Sequence, residues 1–345
     1  EISFTHPATG KPARFTATAD FSADSGETLR TAIIEPEQTD AYRLIHGASD
    51  GAPGWFVDRL GNHLLSQSER PLSPKQTDLL ETLRTTHHAT ATYHKSLSRH
   101  VGRSQPADTS PQLVGGLSAP ETFVIRENGV KFELSFNEGY SVGLFLDQRD
   151  NRRRFLTSHI AADFDLGCRT PDIGLLNCFA YTCGFSVCAA LAGVKTTSLD
   201  LSKKYLEWGK RNFALNGLDP AAHDFIYGDT FDWLKRFAKK GRSFDLIVLD
   251  PPTFSRSKES GVWRAEKDYG KLVAAAMPLL KPGGILFCST NAAELLPESF
   301  LQMIEMAVGE ARRKIVNQHY VPQPPDFPIT RVEPGYLKTA WLRVK

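Results

Sequence analysis

Beyond residue 170, short apolar runs alternate with helix-length segments, and polar or acidic side chains recur where those runs finish. Ile173–Phe179, Lys195–Asp200, Asp224–Tyr227, Phe244–Asp250 and Gly284–Ser289 read as strands. A run such as Leu246-Ile247-Val248-Leu249 has no polar alternation, so it needs cover on both faces. The pattern predicts an α/β fold with a mostly parallel, doubly wound sheet. A small-residue helix, Gly184–Ala192, follows the first strand, and Ser202–Leu215 follows the second, capped by Ser202 and closed by Asn216-Gly217. Sheets of this kind bind their ligands at the carboxyl edge. The candidate residues there are Asn177, Asp200, Asp229 and Asp250.

The 345 residues suffice for two domains. Residues 1–40 read as an extension with one hairpin and a short helix near Gly26–Ile34. Residues 41–120 carry short alternating runs, Tyr42–His46, Trp55–Asp58 and His63–Ser66, broken at Asp50-Gly51 and Gly61-Asn62. They predict a smaller N-terminal α+β domain with a helix over Pro74–Arg84, a candidate RNA-binding unit. A Pro/Gly/Ser-rich stretch, Ser104–Pro120, leads to a hairpin, Phe123–Arg126 and Val130–Phe136, turning at Asn128-Gly129. That hairpin opens the second domain, 121–345.

Charge and composition exclude several classes. With 41 Lys+Arg against 39 Asp+Glu the formal charge is +2, so nucleic acid must be met by local patches. Two are candidates: Arg149 with Arg152, Arg153 and Arg154, and the group Lys235, Arg236, Lys239, Lys240 and Arg242. The five cysteines include no Cys-x-x-Cys pair, which argues for a reducing compartment and against a zinc site. His87, His88, His94 and His100 lack acidic or thiol companions at ligand spacing and read as solvated, so no metal is expected. No apolar run approaches the ~20 residues of a membrane span. A cytoplasmic protein is expected, or a mitochondrial or plastid one whose transit peptide has been removed, since the first residue is Glu1.

The first strand-to-helix turn, Phe179-Ala180-Tyr181-Thr182-Cys183-Gly184, has one glycine and lacks the G-x-G-x-x-G that admits a pyrophosphate. Asp200, about 20 residues on, is placed to accept from ribose hydroxyls. Together they favour an adenosine ligand without phosphates, such as S-adenosylmethionine, over NAD. Asp229 is a candidate acceptor for the adenine amino group. Asp250-Pro251-Pro252-Thr253-Phe254 is stiffened by two prolines, so its carboxylate and carbonyls form a fixed acceptor surface beside an exposed ring. Such a surface suits a flipped or single-stranded base stacked on Phe254.

These residues, with Gly143-Leu144-Phe145-Leu146-Asp147-Gln148-Arg149, Tyr205-Leu206-Glu207-Trp208, Arg211-Asn212, Leu215–Leu218, Ser255 and Ser257-Lys258, resemble the S-adenosylmethionine-dependent methyltransferases of bacterial large-subunit ribosomal RNA. The likeness spans roughly 126–345, and Tyr42–Gly47 with Asp50–Arg59 is similar to the central domain of the cytosine-C5 branch, without its PUA domain. It implies a Rossmann-like class I methyltransferase domain and rRNA as partner. It further implies that Gln148, Arg149 and Asn177 line the cofactor pocket, that Phe179, Tyr181, Thr182 and Gly184 form its methionine-side loop, that Asp200 and Leu201 hold the ribose, and that Asp229 and Thr230 face adenine. Asp250, Pro251, Pro252, Phe254 and Asn291 would meet the base. Two positions differ from the family: Cys183 stands where Gly is frequent, and Ser141-Val142-Gly143 where Lys-Thr-Gly is frequent.

Cytosine C5 methylation needs a nucleophile to add at C6. In the C5 branch that cysteine lies seven residues after a Gly-Gly; counted from Gly283-Gly284 the place is Asn291. Cys288, three residues earlier, should point to the opposite face and pack as a core thiol. The guanine-N7 branch is similar at Asp250–Ser255, Tyr205–Trp208, Ser289 and Asn291, so a base nitrogen is the favoured acceptor. The alternatives are C5 transfer through Cys288, a non-catalytic RNA-binding or assembly factor, and, disfavoured by the turn, a nicotinamide-dependent oxidoreductase. Tyr336 reads as part of a closing hairpin.

Overall fold

The computed structural model describes residues 2–6, 9–16, 26–97, 110–138, 141–167, 172–257 and 261–345. His100, Cys168, Lys258 and residues 104–109 of the linker lie outside them. At the centre stands a seven-stranded sheet. Its strands in chain order are Gly174–Cys178, Lys195–Asp200, Asp224–Tyr227, Phe244–Leu249, Leu280–Thr290, Ile315–Val321 and Lys338–Val344. They lie side by side as third, second, first, fourth, fifth, seventh and sixth. The first five run parallel; the seventh is antiparallel to both its neighbours.

Register decides which side chains share a face, because strand side chains alternate. Cys178 pairs with Leu249, Leu249 with Cys288 and Cys288 with Ala340. This row packs beneath the helices Thr230–Lys239, Ala265–Ala276 and Pro297–Glu310, against Tyr269, Leu272 and Phe300. The next row, Asn177, Val248, Phe287 and Trp341, faces the opposite layer, where Phe155 and Phe185 lie on the helices Arg149–Thr157 and Gly184–Leu191. Counting on by twos, Asp250, Ser289 and Asn291 leave from this second face, and Cys288 leaves from the first.

A second sheet has five strands, Ala41–His46, Trp55–Leu60, His63–Ser68, Ala91–Ser96 and Gln112–Gly116, paired in that order. Its single parallel pairing needs a crossover, which the helix Pro74–Thr86 supplies. Ser73 and Gln76 cap that helix reciprocally. Of the histidines read as solvated, His88 is exposed, while His87 and His94 are half-buried. His46 and His63 are buried, His63 meets Phe123 edge-on at 4.5 Å, and His94 hydrogen-bonds Ser66 at 3.0 Å. The hairpin Phe123–Glu127 and Val130–Leu134 turns at Asn128 and Gly129, both left-handed, as the Asn-Gly pair predicted.

Buried charge ties the second sheet to the rest of the chain. Asp326, fully buried, takes both terminal nitrogens of Arg149 at 2.6 and 2.8 Å and the backbone N–H of Arg43 at 3.0 Å. Arg30 reaches Asp50 through two bonds and donates to the Asp326 carbonyl at 3.2 Å. No helix among the described residues is long and apolar enough to cross a membrane.

Candidate active site

The loop Phe179–Cys183 climbs from the first strand into the Gly184–Leu191 helix with Phe179, Tyr181 and Cys183 all at positive φ. Two bonds hold it in this unfavourable shape: the Thr182 hydroxyl donates to the Gly143 carbonyl at 2.6 Å, and Asn212 Nδ2 donates to the Thr182 carbonyl at 3.0 Å. Gly143 itself has φ 121°, and a Cβ there would overlap Trp208. Cys183 takes the left-handed conformation that glycine usually fills, and its thiol fits because Gly209 faces it: a Cβ on Gly209 would collide with Cys183 Sγ. Asp200 closes the turn, accepting from Tyr181 N and Ser202 N, both at 2.8 Å, and burial raises its pKa. Leu201 beside it is half exposed.

This surface fits S-adenosylmethionine. Asp200 uses one bond at each oxygen on the backbone and keeps acceptor capacity for hydroxyls. Leu201 offers an apolar face, and Asn177 Oδ1 is a buried acceptor without a partner at the end of the first strand. Asn177 Nδ2 is spent on Ser186 at 2.9 Å. Asp229 ends the third strand and caps the helix Thr230–Lys239 through Asp232 N at 3.2 Å, with Thr230 buried behind it.

The second half of the site gathers round Asp250. Gln148 Nε2 lies 3.3 and 3.4 Å from its two oxygens and 2.7 Å from Ser289 Oγ, while Gln148 Oε1 accepts from Asn151 at 2.8 Å. Burial, with Asp147 nearby, pushes the Asp250 carboxyl up to about 6 against the hydrogen bonds that lower it. Pro251 is buried and Pro252 exposed. Contrary to expectation, the carbonyls here are engaged: Pro252 O accepts from Trp263 Nε1 at 2.7 Å and Thr253 O from Ala265 N at 3.0 Å. The Thr253 hydroxyl donates to Asn291 Oδ1 at 2.6 Å, and Asn291 is exposed. Phe254, 55 % exposed, heads a two-stranded ribbon, with the Arg264 guanidinium 5.8 Å from its ring centre.

The sequence-derived assignments of four residues are overturned. Arg152 is not on the surface: it is buried in a pair with Glu127, two bonds of 2.6 Å each, and cannot meet RNA. Arg154 is spent on the Ile160 and Asp150 carbonyls, which leaves Arg153 as the exposed member of that run. Arg149 does not line a cofactor pocket, because its guanidinium is buried against Asp326. Nor does Tyr336 belong to a strand; its hydroxyl donates to Asp147 at 2.9 Å. Cys288 is where the alternation put it, fully buried and packed with Tyr269, and burial raises its thiol pKa. In the second basic group Arg236 pairs with Asp232 and Arg242 with Asp224, while Lys235, Lys239 and Lys240 are exposed. Asn151 organises the site without having been singled out: it donates to Gln148 Oε1 three residues before it and accepts from Trp341 Nε1, 190 residues downstream.

A parallel sheet of this strand order, with an antiparallel seventh strand and a carboxylate ending the second, defines a class I S-adenosylmethionine-dependent methyltransferase. The family model of the S-adenosylmethionine-dependent methyltransferases matches residues 64–342. A "Ribosomal RNA large subunit methyltransferase" of Deinococcus radiodurans is 33 % identical over 335 residues, 93 % of this chain and 78 % of that protein. "Ribosomal RNA large subunit methyltransferase I" of Aeromonas hydrophila is 34 % identical over 323 residues, 92 % of this chain and 78 % of the relative. Among solved structures, the methyltransferase SMU.776 complexed with SAH superposes with a TM-score of 0.76 at 28 % identity, over 92 % of this chain and 79 % of that one. The chain therefore belongs to the S-adenosylmethionine-dependent methyltransferase family that includes the bacterial large-subunit rRNA enzymes. It is a methyltransferase, and S-adenosylmethionine is its cofactor.

Proposed function

We propose that the protein methylates N7 of a guanine in large-subunit ribosomal RNA, without a covalent enzyme intermediate. The names of its relatives support the RNA class, and a cytoplasmic setting follows from it. One observation carries the choice of atom: the exposed position beside the Asp250 loop is Asn291, while Cys288 is sealed in the opposite face of the sheet. Adding to a pyrimidine would need a reachable thiolate.

S-adenosylmethionine, when bound, supplies an electrophilic methyl group. Asp200 and Leu201 would hold its ribose, with Asp229 and Thr230 at adenine. Guanine N7 already carries a lone pair, so the protein's work is alignment and charge. Thr253 fixes Asn291 Oδ1, which leaves the Asn291 amide hydrogens to donate to guanine O6, next to N7. Phe254 offers a face for stacking. Methylation at N7 puts positive charge on the base, and Asp250, held by Gln148 and ionised above a pH of about 6, stabilises it as it develops.

Nucleoside mass spectrometry of an unmodified large-subunit rRNA transcript, incubated with enzyme and cofactor, is expected to show 7-methylguanosine. Cys288→Ala is expected to keep most of that activity. Appearance of 5-methylcytidine, abolished by Cys288→Ala, would refute the proposal.

A further inference from the structure

A cleft of about 170 Å³ opens between the small domain and the catalytic domain. Arg43 and Asp58 line it from one side, Phe145 and Asp147 from the segment before Gln148, and Phe327 and Tyr336 from the segment before the last strand. Its size exceeds the ~30 Å³ share of a water several times over, yet falls short of the ~300–1,000 Å³ of sites that enclose whole ligands. One planar ring is the right scale. The cleft also adjoins the reacting centre by two routes. Asp147 precedes Gln148, whose amide reaches Asp250. Lys338 Nζ donates to both the Tyr336 carbonyl at 2.9 Å and the Ala292 carbonyl at 2.7 Å, which ties the cleft's far wall to the residue after Asn291.

Two cations and two carboxylates line it: Arg43 and Lys95, Asp58 and Asp147. Arg43 and Asp58 neutralise each other through two bonds, 2.5 and 3.3 Å, and the Arg43 guanidinium lies over the Phe327 ring, 4.4 Å from its centre. Arg149 is held by Asp326 and Arg152 by Glu127. Asp147 Oδ2 accepts from the Tyr336 hydroxyl at 2.9 Å, which orients the carboxylate and leaves Oδ1 for a ligand. Burial raises the Asp147 pKa while the Tyr336 hydrogen bond opposes it; in its ionised form the carboxylate is matched by a donor pair, with charge-assisted bonds. Guanine presents adjacent N1–H and N2–H donors on its Watson–Crick edge. Adenine and cytosine place an acceptor nitrogen there, and uracil flanks its one N–H with two carbonyls.

We infer that this cleft is the acceptor-base pocket and that Asp147, oriented by Tyr336, selects guanine by its Watson–Crick edge. The inference rests on the guanine-N7 reading and extends it: around the ring, N7, O6 and the N1/N2 edge then meet the methyl donor, Asn291 and Asp147 in turn. The small domain thereby becomes one wall of the specificity pocket, and Phe145, 46 % exposed, borders its entrance.

The test uses the full-length enzyme and an unmodified large-subunit rRNA transcript, with the methylated nucleotide mapped first. Asp147→Ala and Asp147→Asn are expected to bind SAH within about twofold of wild type by calorimetry and to lower kcat/KM by about 10- to 100-fold. Tyr336→Phe should fall between them and wild type. A transcript carrying inosine at the mapped guanosine, which keeps N1–H but lacks the N2 amino group, should lose part of that factor with wild type and little or nothing further with Asp147→Ala, because the bond to N2–H is already absent in that variant. Guanine methylated at full rate by the Asp147 variants, or losses that simply multiply, would overturn this inference alone. A wild-type methyl mapped to cytosine would overturn the guanine-N7 reading and this inference together.

Discussion

Asp250 sits where its charge is costly. Its folded pKa of about 6 lies above the ordinary ~3.9 of an unfolded aspartate, so folding disfavours its ionised form. At a pH below both values the carboxyl is protonated in both states and the penalty vanishes; as pH rises from about 4 to about 6 stability is lost, on the order of 2–3 kcal/mol. Asp250→Asn keeps the acceptor that Gln148 and Ser289 address but removes the charge. Denaturant unfolding should find the variant more stable than wild type at pH 8 and equal to it near pH 4, while methyl transfer falls sharply. The wild-type rate should rise with pH through about 6, and that inflection should disappear in the variant.

At the scale of elements, the turn after the first strand shows how a sequence departure is accommodated. Cys183 in left-handed backbone costs ~1–2 kcal/mol relative to glycine, and the thiol needs the space that Gly209 leaves on the facing helix Lys203–Leu215. Gly209→Ala should therefore destabilise by several kcal/mol and weaken cofactor binding, and Cys183→Gly in the same chain should recover much of both, a coupling that thermal unfolding and SAH calorimetry would measure. The strand endings, the Asp-Pro-Pro turn and the side to which Cys288 points were legible in the sequence, because period-two alternation and turn chemistry act locally. The fate of the arginines was not. Arg152 and Arg149 look like a surface run until the hairpin brings Glu127, and the segment before the last strand brings Asp326, from 25 and 177 residues away. Tyr336 was missed for the same reason, its partner lying 189 residues upstream.

Across the whole molecule, Asp326 is the charge on which segments distant in sequence converge, since it engages Arg149 directly and Arg43 through the backbone, while Arg30 donates to its carbonyl. Asp326→Ala leaves the buried Arg149 guanidinium without its bidentate partner, with Asp150 at 3.5 Å, and should cost about 3–5 kcal/mol in denaturant unfolding. Replacing both members, Arg149→Met with Asp326→Leu, should cost less than the single change. The seventh strand has a different consequence. Lys338–Val344 is inserted between the fifth and sixth strands and bonds to both, yet it is the last of the seven to leave the ribosome. Until it emerges, the nascent polypeptide exposes the apolar border of Leu280–Thr290 as an open template for pairing with other chains, so a chain cut before Lys338 should be insoluble and protease-sensitive although every cofactor-side residue has already been made.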